Sequence, residues 1–549
     1  MNEQKTPLRI LPIGGCGEIG KNMTILEYGD EILIIDAGIM FPMNDMLGID
    51  FIIPDFKYVV ARRDKVKAVL LTHGHEDHIG AIKHLMGEIE APIYATPLTK
   101  GLVEVKLKEA GVHRETMIHE MQAGDAFTIG QFLIEPFHVT HSIPDCVGFG
   151  ITTPVGLVVH TGDYKFDYTP HDGWPPDFAK LAEFSARGVL CLLADSTNAN
   201  SEGWTRSEKE IESAFADVFG RVTGRIITVT FASLISRVQL VADTARQHGR
   251  KLAITGRSMR DNVAMARRLG YLDIPDDLLI DIEQANKLPP SQVAIMATGS
   301  QGEPTAVLGR LAFGRHRTLG IRKGDTIILS AHTIPGNEEG IHRIINRLLQ
   351  QGANILYEEN ASVHVSGHAA REEMKLMINL VRPRFFIPVH GELRHLVAHG
   401  ELAASLGIPR ERIAVIENGT PIELQPDAIK VHNRLPGGYV FVDGASVGDI
   451  GWSVMRDREK LAENGFFFVV FSLNSQGYMV GAPEIFTRGF ANLKEAPDLV
   501  DGAREAIEEV LRTYRGQKQT QLPARVEEGL SRFLYGETGR RPLVYVAIN

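Results

Sequence analysis

Thr72-His73-Gly74-His75-Glu76-Asp77-His78 follows the apolar run Ala68-Val69-Leu70-Leu71 and precedes a helix-like stretch from Ile79 to Met86. The pattern predicts a polar loop at the carboxyl end of a buried strand. Neutral imidazole and carboxylate suit zinc, and ligands this crowded can serve two ions. On a loop, His73 and His75 can face one ion while Asp77 and His78 turn to a second. A solvated surface loop has no reason to concentrate histidine in this way. The His-x-His-x-Asp-His spacing behind an apolar strand therefore reads as a metal site.

Other strand-like runs end alike. Phe132 to Phe137 leads to His138-Val139-Thr140-His141, Gly156 to His160 leads to Thr161-Gly162-Asp163, and Gly188 to Leu193 leads to Asp195. Phe385 to Val389 ends at His390. In an α/β sheet, chemistry collects at strand ends. His141 and Asp163 are then the natural further ligands, Asp163 can bridge two ions, and His390 can complete the second set. His138 and His160 fall inside strand patterns and read as hydrogen-bonded core histidines. Asp36, after Glu31 to Ile35, reads as a group that orients ligands. The loop Gly14-Gly15-Cys16-Gly17-Glu18-Ile19-Gly20 lacks the Gly-Lys-Ser/Thr ending of a phosphate loop and reads as turn geometry beside the site.

A chain of 549 residues implies two or three domains. Residues 208–362 alternate strand and helix patterns, with strands expected at 225–230, 251–255, 293–297 and 326–330 and helices at 208–219, 234–248 and 261–269. That rhythm predicts a parallel sheet inserted into the first domain. The expected organisation is 1–207 and 363–430 for the interrupted domain, 208–362 for the insert, 431–455 for a linker, and 456–549 for a small α+β module. In that module we expect one strand at Phe466 to Phe471, helices near 454–463, 497–514 and 523–534, and a last strand from Leu543 to Ile548.

Met1-Asn2-Glu3-Gln4-Lys5 contains no leader-like apolar core, and no run is long enough to span a bilayer. Cys16, Cys146 and Cys191 lie far apart and form no disulfide framework, so a reducing cytoplasm is the expected home. The net charge of −10 argues, on its face, against a nucleic-acid partner. The charge is uneven, however. Between Arg221 and Arg268 stand ten Lys or Arg against two Asp, and between Arg310 and Lys323 stand five with no acid. Local positive patches bind phosphate backbones, while solvated helix faces would give the same count, and charge alone leaves both readings open.

Four features together resemble the ribonuclease J family. They are the metal loop, the interruption after Asp195, the resumption at Ser366-Gly367-His368-Ala369 and Pro388-Val389-His390-Gly391-Glu392, and the C-terminal module. That family is a β-CASP branch of the metallo-β-lactamase superfamily acting on nucleic acids. The resemblance implies an α/β fold: a metallo-β-lactamase αββα sandwich, an inserted β-CASP parallel-sheet domain and a small C-terminal α+β domain. It implies two zinc ions, one on His73, His75 and His141, the other on Asp77, His78 and His390, bridged by Asp163, with manganese or magnesium able to serve. It makes His368 the general acid, oriented by Asp195. It assigns phosphate contact to Ser233, His364, Val365, Ser366, Gly367 and His368. Some relatives carry a further structural cation such as calcium, placed here at Asp50 and Asp443. One departure is visible: Leu234, Ile235 and Ser236 follow Phe231-Ala232-Ser233, where the family often has Asn and a further His.

The implied function is zinc-dependent hydrolysis of single-stranded, 5′-monophosphorylated RNA in maturation and decay, with 5′→3′ exonuclease and endonuclease action. The implied assembly is a homodimer or homotetramer through the C-terminal domain, with RNA-decay proteins as further partners. Other classes compete. A thioesterase- or lactamase-type hydrolase would not need the basic insert. A DNA-directed β-CASP nuclease differs only in substrate. A scaffold without metal would show gaps in the ligand set, and a flavo-di-iron enzyme would need a flavin domain; the sequence shows neither.

Overall fold

The computed structural model describes residues 6–549 apart from 44, 113–115, 304, 334–336, 494 and 514–520. The opening five residues, and position 514 at the end of an expected helix, lie outside the described residues. The chain forms two compact units, Met1–Phe41 with Phe51–Val440, and Pro42–Asp50 with Phe441–Asn549.

The first unit is built on an αββα sandwich. One sheet runs, edge to edge, Ala428–Val431, Ile422–Gln425, Leu8–Gly14, Met23–Tyr28, Glu31–Ile35, Val66–Leu70, Ile93–Ala95 and Ile118–Glu120. The other runs Phe385–Val389, Val189–Asp195, Leu157–His160, Val147–Thr152, Phe132–His138 and Phe127–Ile129. Their facing side chains share one core, with Ile10, Leu26, Leu33 and Leu70 against Ile134, Phe149, Leu193 and Ile387. Every residue of Val189–Asp195 is buried, because helices Phe178–Arg187, Arg371–Val381 and Leu393–Ser405 pack on that side of the second sheet. A strand covered on both faces reads as a continuous apolar run rather than an alternating one.

Register then decides where polar residues emerge. Val189–Asp195 runs parallel to both neighbours, with Asp195 opposite Val389 and Leu193 opposite His160. Glu31–Ile35 runs parallel to Val66–Leu70, with Ile35 opposite Leu70. Asp36, the 72–78 loop, Asp163, Asp195 and His390 therefore leave their strands at matching ends. The single helix expected from Ile79 to Met86 is instead two short ones, Glu76–Ile79 and Ile82–Leu85. The first starts inside the histidine cluster. The break falls at Gly80, where a Cβ would meet the Glu76 carbonyl at 2.5 Å and the Ile39 side chain at 2.8 Å.

Within the same unit a third sheet, wholly parallel, runs Leu279–Ile280, Lys251–Ile254, Val293–Ala297, Ile226–Val229, Thr326–Leu329 and Asn354–Leu356. Helices Lys209–Arg221, Ile235–Gln247 and Arg257–Arg268 belong to it, the last starting four residues before the expected position. The basic stretch splits in space. Arg225, Arg237 and Arg250 are buried. Arg225 forms a two-pronged pair with Asp325 at 2.9 and 2.6 Å, and Arg250 donates to backbone carbonyls of Val222, Gly224 and Val293. Arg221, Arg257, Arg260 and Arg268 are exposed. Part of the positive charge is thus internal framework rather than surface.

In the second unit, the stretch read as a linker holds a hairpin, Val440–Asp443 with Ser446–Val447, and the start of helix Trp452–Asn464. Phe466–Leu473 is the centre of a three-stranded sheet, antiparallel to Met479–Arg488 and parallel to Leu543–Ile548. The strand Met479–Arg488 escapes the sequence reading because Gly481 and Pro483 interrupt it; an edge strand tolerates both. Helices Pro497–Thr513 and Leu522–Thr538 cover Phe467, Val469 and Phe471. Among the described residues, no helix is long and apolar enough to cross a membrane.

The Arg225–Asp325 pair joins adjacent strands of the third sheet, so Asp325→Ala leaves a guanidinium buried without its counter-charge. We expect a loss of about 3–5 kcal/mol, read as faster hydrogen exchange in Ile226–Val229 and Thr326–Leu329.

Candidate metal centre

The strand ends bring seven side chains together. His73 Nε2 and His141 Nε2 each lie 3.1 Å from His75 Nδ1. His78 Nε2 lies 3.1 Å from Asp163 Oδ2 and 3.5 Å from Asp77 Oδ2. His390 Nε2 lies 3.4 Å from Asp77 Oδ2. One oxygen touches both groups: Asp163 Oδ2 is 3.7 Å from His73 Nε2 and from His141 Nε2.

Hydrogen bonds on the outer side of four rings fix what faces inward; His75 presents Nδ1 to the cluster, and its outer Nε2 has no partner. His141 Nδ1 donates to the Gly367 carbonyl at 2.7 Å. Thr72 Oγ1 donates to Asp36 at 2.8 Å and therefore accepts from His73 Nδ1 at 3.0 Å. His78 Nδ1 donates to Asp36 Oδ2 at 2.8 Å, and His390 Nδ1 to Asp163 Oδ1 at 2.7 Å. With the outer nitrogens protonated and the rings neutral, the state in which imidazole binds metal, the Nε2 atoms of His73, His78, His141 and His390 turn lone pairs inward. Lone pairs at such distances repel unless a cation lies between them. Nitrogens bound tetrahedrally to zinc at about 2.0–2.1 Å stand about 3.3 Å apart, close to the spacing found. His390 Nε2 is buried without a hydrogen-bond partner. The donor set fits divalent metal.

The electrostatics agree. Burial lowers His73 and His141 well below the usual imidazole range and His75 to about 4, so these three are neutral ligands in waiting. Burial also acts on His390, but Asp163, aided by Asp77, overcomes it and pushes the ring up to about 10. The carboxylate-rich half thus gathers protons where it could gather metal charge. Asp36 and His390 both adopt left-handed backbone, φ 63° and 52°, a strain of about 1 kcal/mol or more each.

A third group adjoins the cluster. His368 Nδ1 donates to Asp195 Oδ2 at 2.8 Å, while Thr197 donates to Asp195 Oδ1 from its amide at 2.9 Å and its hydroxyl at 2.7 Å. Ser366 Oγ accepts from the His368 amide at 3.1 Å and from Asn198 Nδ2 at 2.8 Å, which shapes the turn.

The family model described as "Beta-lactamase superfamily domain" matches residues 33–196, and "Ribonuclease J, beta-CASP domain" matches 223–348. "Zn-dependent metallo-hydrolase RNA specificity domain" matches 356–412, and "Ribonuclease J C-terminal domain" matches 453–549. Ribonuclease J 1 of Streptococcus pyogenes is 41% identical over 97% of this chain and 96% of its own. Ribonuclease J2 of Bacillus subtilis is 39% identical over 98% and 97%. Ribonuclease J of Thermus thermophilus is 42% identical over 98% and 94%. The chain belongs to the ribonuclease J family. A crystal structure of an Enterococcus faecalis protein of unknown function shares the fold, with a TM-score of 0.55 at 15% identity over 76% of this chain and all of that one.

Within this ribonuclease J fold the remaining candidates differ in setting. Gly367 serves His141: a Cβ there would meet the His141 ring at 2.6 Å. His364 is buried with Nδ1 unpartnered, and Val365 and Ser233 are buried. Leu234, at the departure from the family pattern, is buried. His138 donates to the Pro175 carbonyl at 3.0 Å, and His160 accepts from the Gly162 amide at 3.0 Å, so both are core histidines. Asp50 and Asp443 belong to the second unit. Asp50 accepts from the Gly444 amide at 2.7 Å, and Arg458 neutralises Asp443 at 2.6 Å. No cluster of three or more His, Cys, Asp or Glu includes them among the described residues. The sequence reading gave Thr197 and Asn198 no role and assigned Gly367 to phosphate rather than to the support of His141; only closeness to Asp195 and His368 hinted at scaffolding.

Asp36 holds His78 and Thr72 at once. Asp36→Asn should weaken metal binding about 10–100-fold with the fold retained, measured by competition against a chromogenic chelator.

Proposed function

We propose that two zinc ions occupy the centre, one on His73, His75 and His141, the other on Asp77, His78 and His390, with Asp163 shared, and that the site hydrolyses single-stranded RNA. Membership of the ribonuclease J family makes the protein a metal-dependent ribonuclease. The observation that carries the paired reading is Asp163 Oδ2, within 3.7 Å of nitrogens from both groups. When bound, such a pair activates water at neutral pH and neutralises charge on phosphoryl oxygens. Manganese or magnesium can substitute where carboxylates dominate.

The chain's own residues do the rest. Asp195, locked by Thr197, holds the proton on His368 Nδ1 and leaves Nε2 to protonate the departing 3′ oxygen. Asp195 outweighs burial and raises His368 above the usual imidazole value, which favours the acid form. The unpartnered Nδ1 of His364 and the Ser233 and Ser366 hydroxyls would hold phosphate. A 5′-monophosphate held there would set 5′→3′ exonuclease action, and a strand passing through would be cut internally. Three buried free cysteines suit a reducing cytoplasm.

Self-association would use the second unit, and RNA-decay proteins would be further partners. Alternate residues of Phe466–Leu473 face away from the helices, and Phe468, Phe486 and Tyr545 meet there with ring centroids 6.1 and 5.6 Å apart. Phe486 and Tyr545 are exposed.

His368→Ala should lose about 10²- to 10⁴-fold in turnover while metal content and RNA affinity stay unchanged; near-normal turnover would remove His368 from the reaction. Asp77→Ala should lose metal and turnover together, and two ions retained by elemental analysis would contradict that assignment. Phe486→Glu with Tyr545→Glu should lower the mass seen by light scattering.

A further inference from the structure

From the ligand Asp163 an aromatic series runs outward to the surface. Tyr164 and Phe166 have ring centroids 5.5 Å apart, Phe166 and Phe178 5.0 Å, Phe178 and Tyr168 5.9 Å, and Tyr168 and Trp204 6.4 Å. Tyr164 and Phe166 are buried and Phe178 is half-buried; Tyr168 is 61% exposed and Trp204 51%. Isolated exposed aromatics are common and need no explanation. Two neighbouring large rings on a fixed frame do, since each forgoes burial.

One residue is central to the frame. Glu373, fully buried, accepts from the amides of Phe166 at 2.7 Å, Thr205 at 2.7 Å and Ala370 at 2.8 Å. A single carboxylate thus ties the segment carrying Tyr168 to the loop carrying Trp204. Further ties are Ser201 and Gly203 carbonyls accepting from Arg371 and Glu372 amides, and Thr169 bonded to Ser207 at 2.9 Å. The same loop reaches the reaction centre, because Thr205 Oγ1 donates to the His368 carbonyl at 2.7 Å. Beside Trp204, the half-exposed Arg206 adds a cation, 3.4 Å from Ser362 Oγ and held only loosely by the exposed Glu210 carboxylate at 3.7 Å. A rigid pair of exposed rings, one residue from the group bonded to His368 and next to a guanidinium, matches what a flexible single strand needs: flat apolar faces for bases and a positive charge for its backbone.

We propose that Tyr168 and Trp204 form a stacking platform for bases of the RNA strand flanking the cleaved bond. The inference rests on the ribonuclease reading above and deepens it. Stacking is sequence-tolerant, since every base offers a flat face, so the platform supplies affinity and register without reading sequence.

The test pairs protein and RNA deletions. Single-stranded RNAs with one abasic position, moved stepwise along the strand, are compared on wild type, Trp204→Ala and Trp204→Tyr. Trp204→Ala should raise KM roughly 10- to 100-fold with kcat and metal content retained, and Trp204→Tyr should restore most of it. One abasic position should weaken wild type but add nothing in Trp204→Ala, because deletions of one contact are not additive. Trp204→Phe should abolish part of the tryptophan quenching seen on adding RNA. Unchanged KM in the Tyr168→Ala, Trp204→Ala double variant, or additive losses at every abasic position, would overturn the proposal. A change of oligomeric mass without a change in RNA affinity would overturn it too, by giving the rings to a second copy of the chain. Wild type that neither binds nor cleaves RNA would instead sink the ribonuclease reading itself.

Discussion

The constraint on which this structure depends is the orientation of imidazole rings by hydrogen bonds made on their outer sides. Gly367, Thr72, Asp36 and Asp163 each take the outer proton of one ring, and so turn its other nitrogen inward. Convergence alone would give a cluster of histidines; protonation on the outside gives a cluster of lone pairs. Such a cluster is unfavourable empty and favourable filled. The same bonds join the cluster to its neighbour. The carbonyl that holds His141 belongs to Gly367, and the next residue is His368, so the positions of the two rings are linked through one turn of backbone.

The inserted sheet is tied to this centre by charge that never reaches solvent. Arg237 pairs with Glu208 at 2.8 Å and donates to the Val363 carbonyl at 3.1 Å, directly before His364. Lys165, two residues after Asp163, is buried near Glu208 and Asp167 at 3.6 and 3.4 Å and donates to the Arg206 carbonyl. Removing any one partner would strand a buried charge, which is costly in a way that losing an exposed pair is not. A count of basic residues along the chain cannot separate such internal ties from a surface patch. Arg225, Arg237 and Arg250 fall in the densest basic stretch, yet all three are interior.

What was legible in the sequence follows a physical rule. Strands buried on both faces announce themselves as apolar runs, and the residue after such a run must be polar and fixed. Asp163, Asp195 and His390 were readable for that reason, and so was Asp36 as an orienting group. Residues whose role is a backbone atom or a close approach were not readable. Gly367 looks like any glycine until the His141 ring is found against it. Thr197 and Asn198 act through contacts set by a residue far away in sequence, as with Asn198 and Ser366. Asp50 and Asp443 were placed by resemblance alone, and the Arg458 pairing of Asp443 is invisible in the sequence because it depends on the fold. Met479–Arg488 failed for a further reason: edge strands carry the residues that central strands exclude.

The placement of the candidate ligands also bears on how the fold is held together. Asp36 and the 72–78 loop leave one sheet; His141, Asp163, Asp195 and His390 leave the other. Cations at this point would therefore span the seam of the sandwich, drawing together strand ends that otherwise carry carboxylates and lone pairs toward each other. Ligands that bind only the folded state stabilise it in proportion to the logarithm of their concentration over Kd, and here the stabilisation would fall on the contact between the two sheets. Protonation of His78 and His390 can relieve part of the repulsion without metal, because the carboxylates raise both rings. It cannot relieve the His73, His75 and His141 group, where burial disfavours the proton and one proton cannot satisfy two 3.1 Å contacts at once. Bound cations would thus matter most to the imidazole-rich half, while protons could offset part of the repulsion in the carboxylate-rich half.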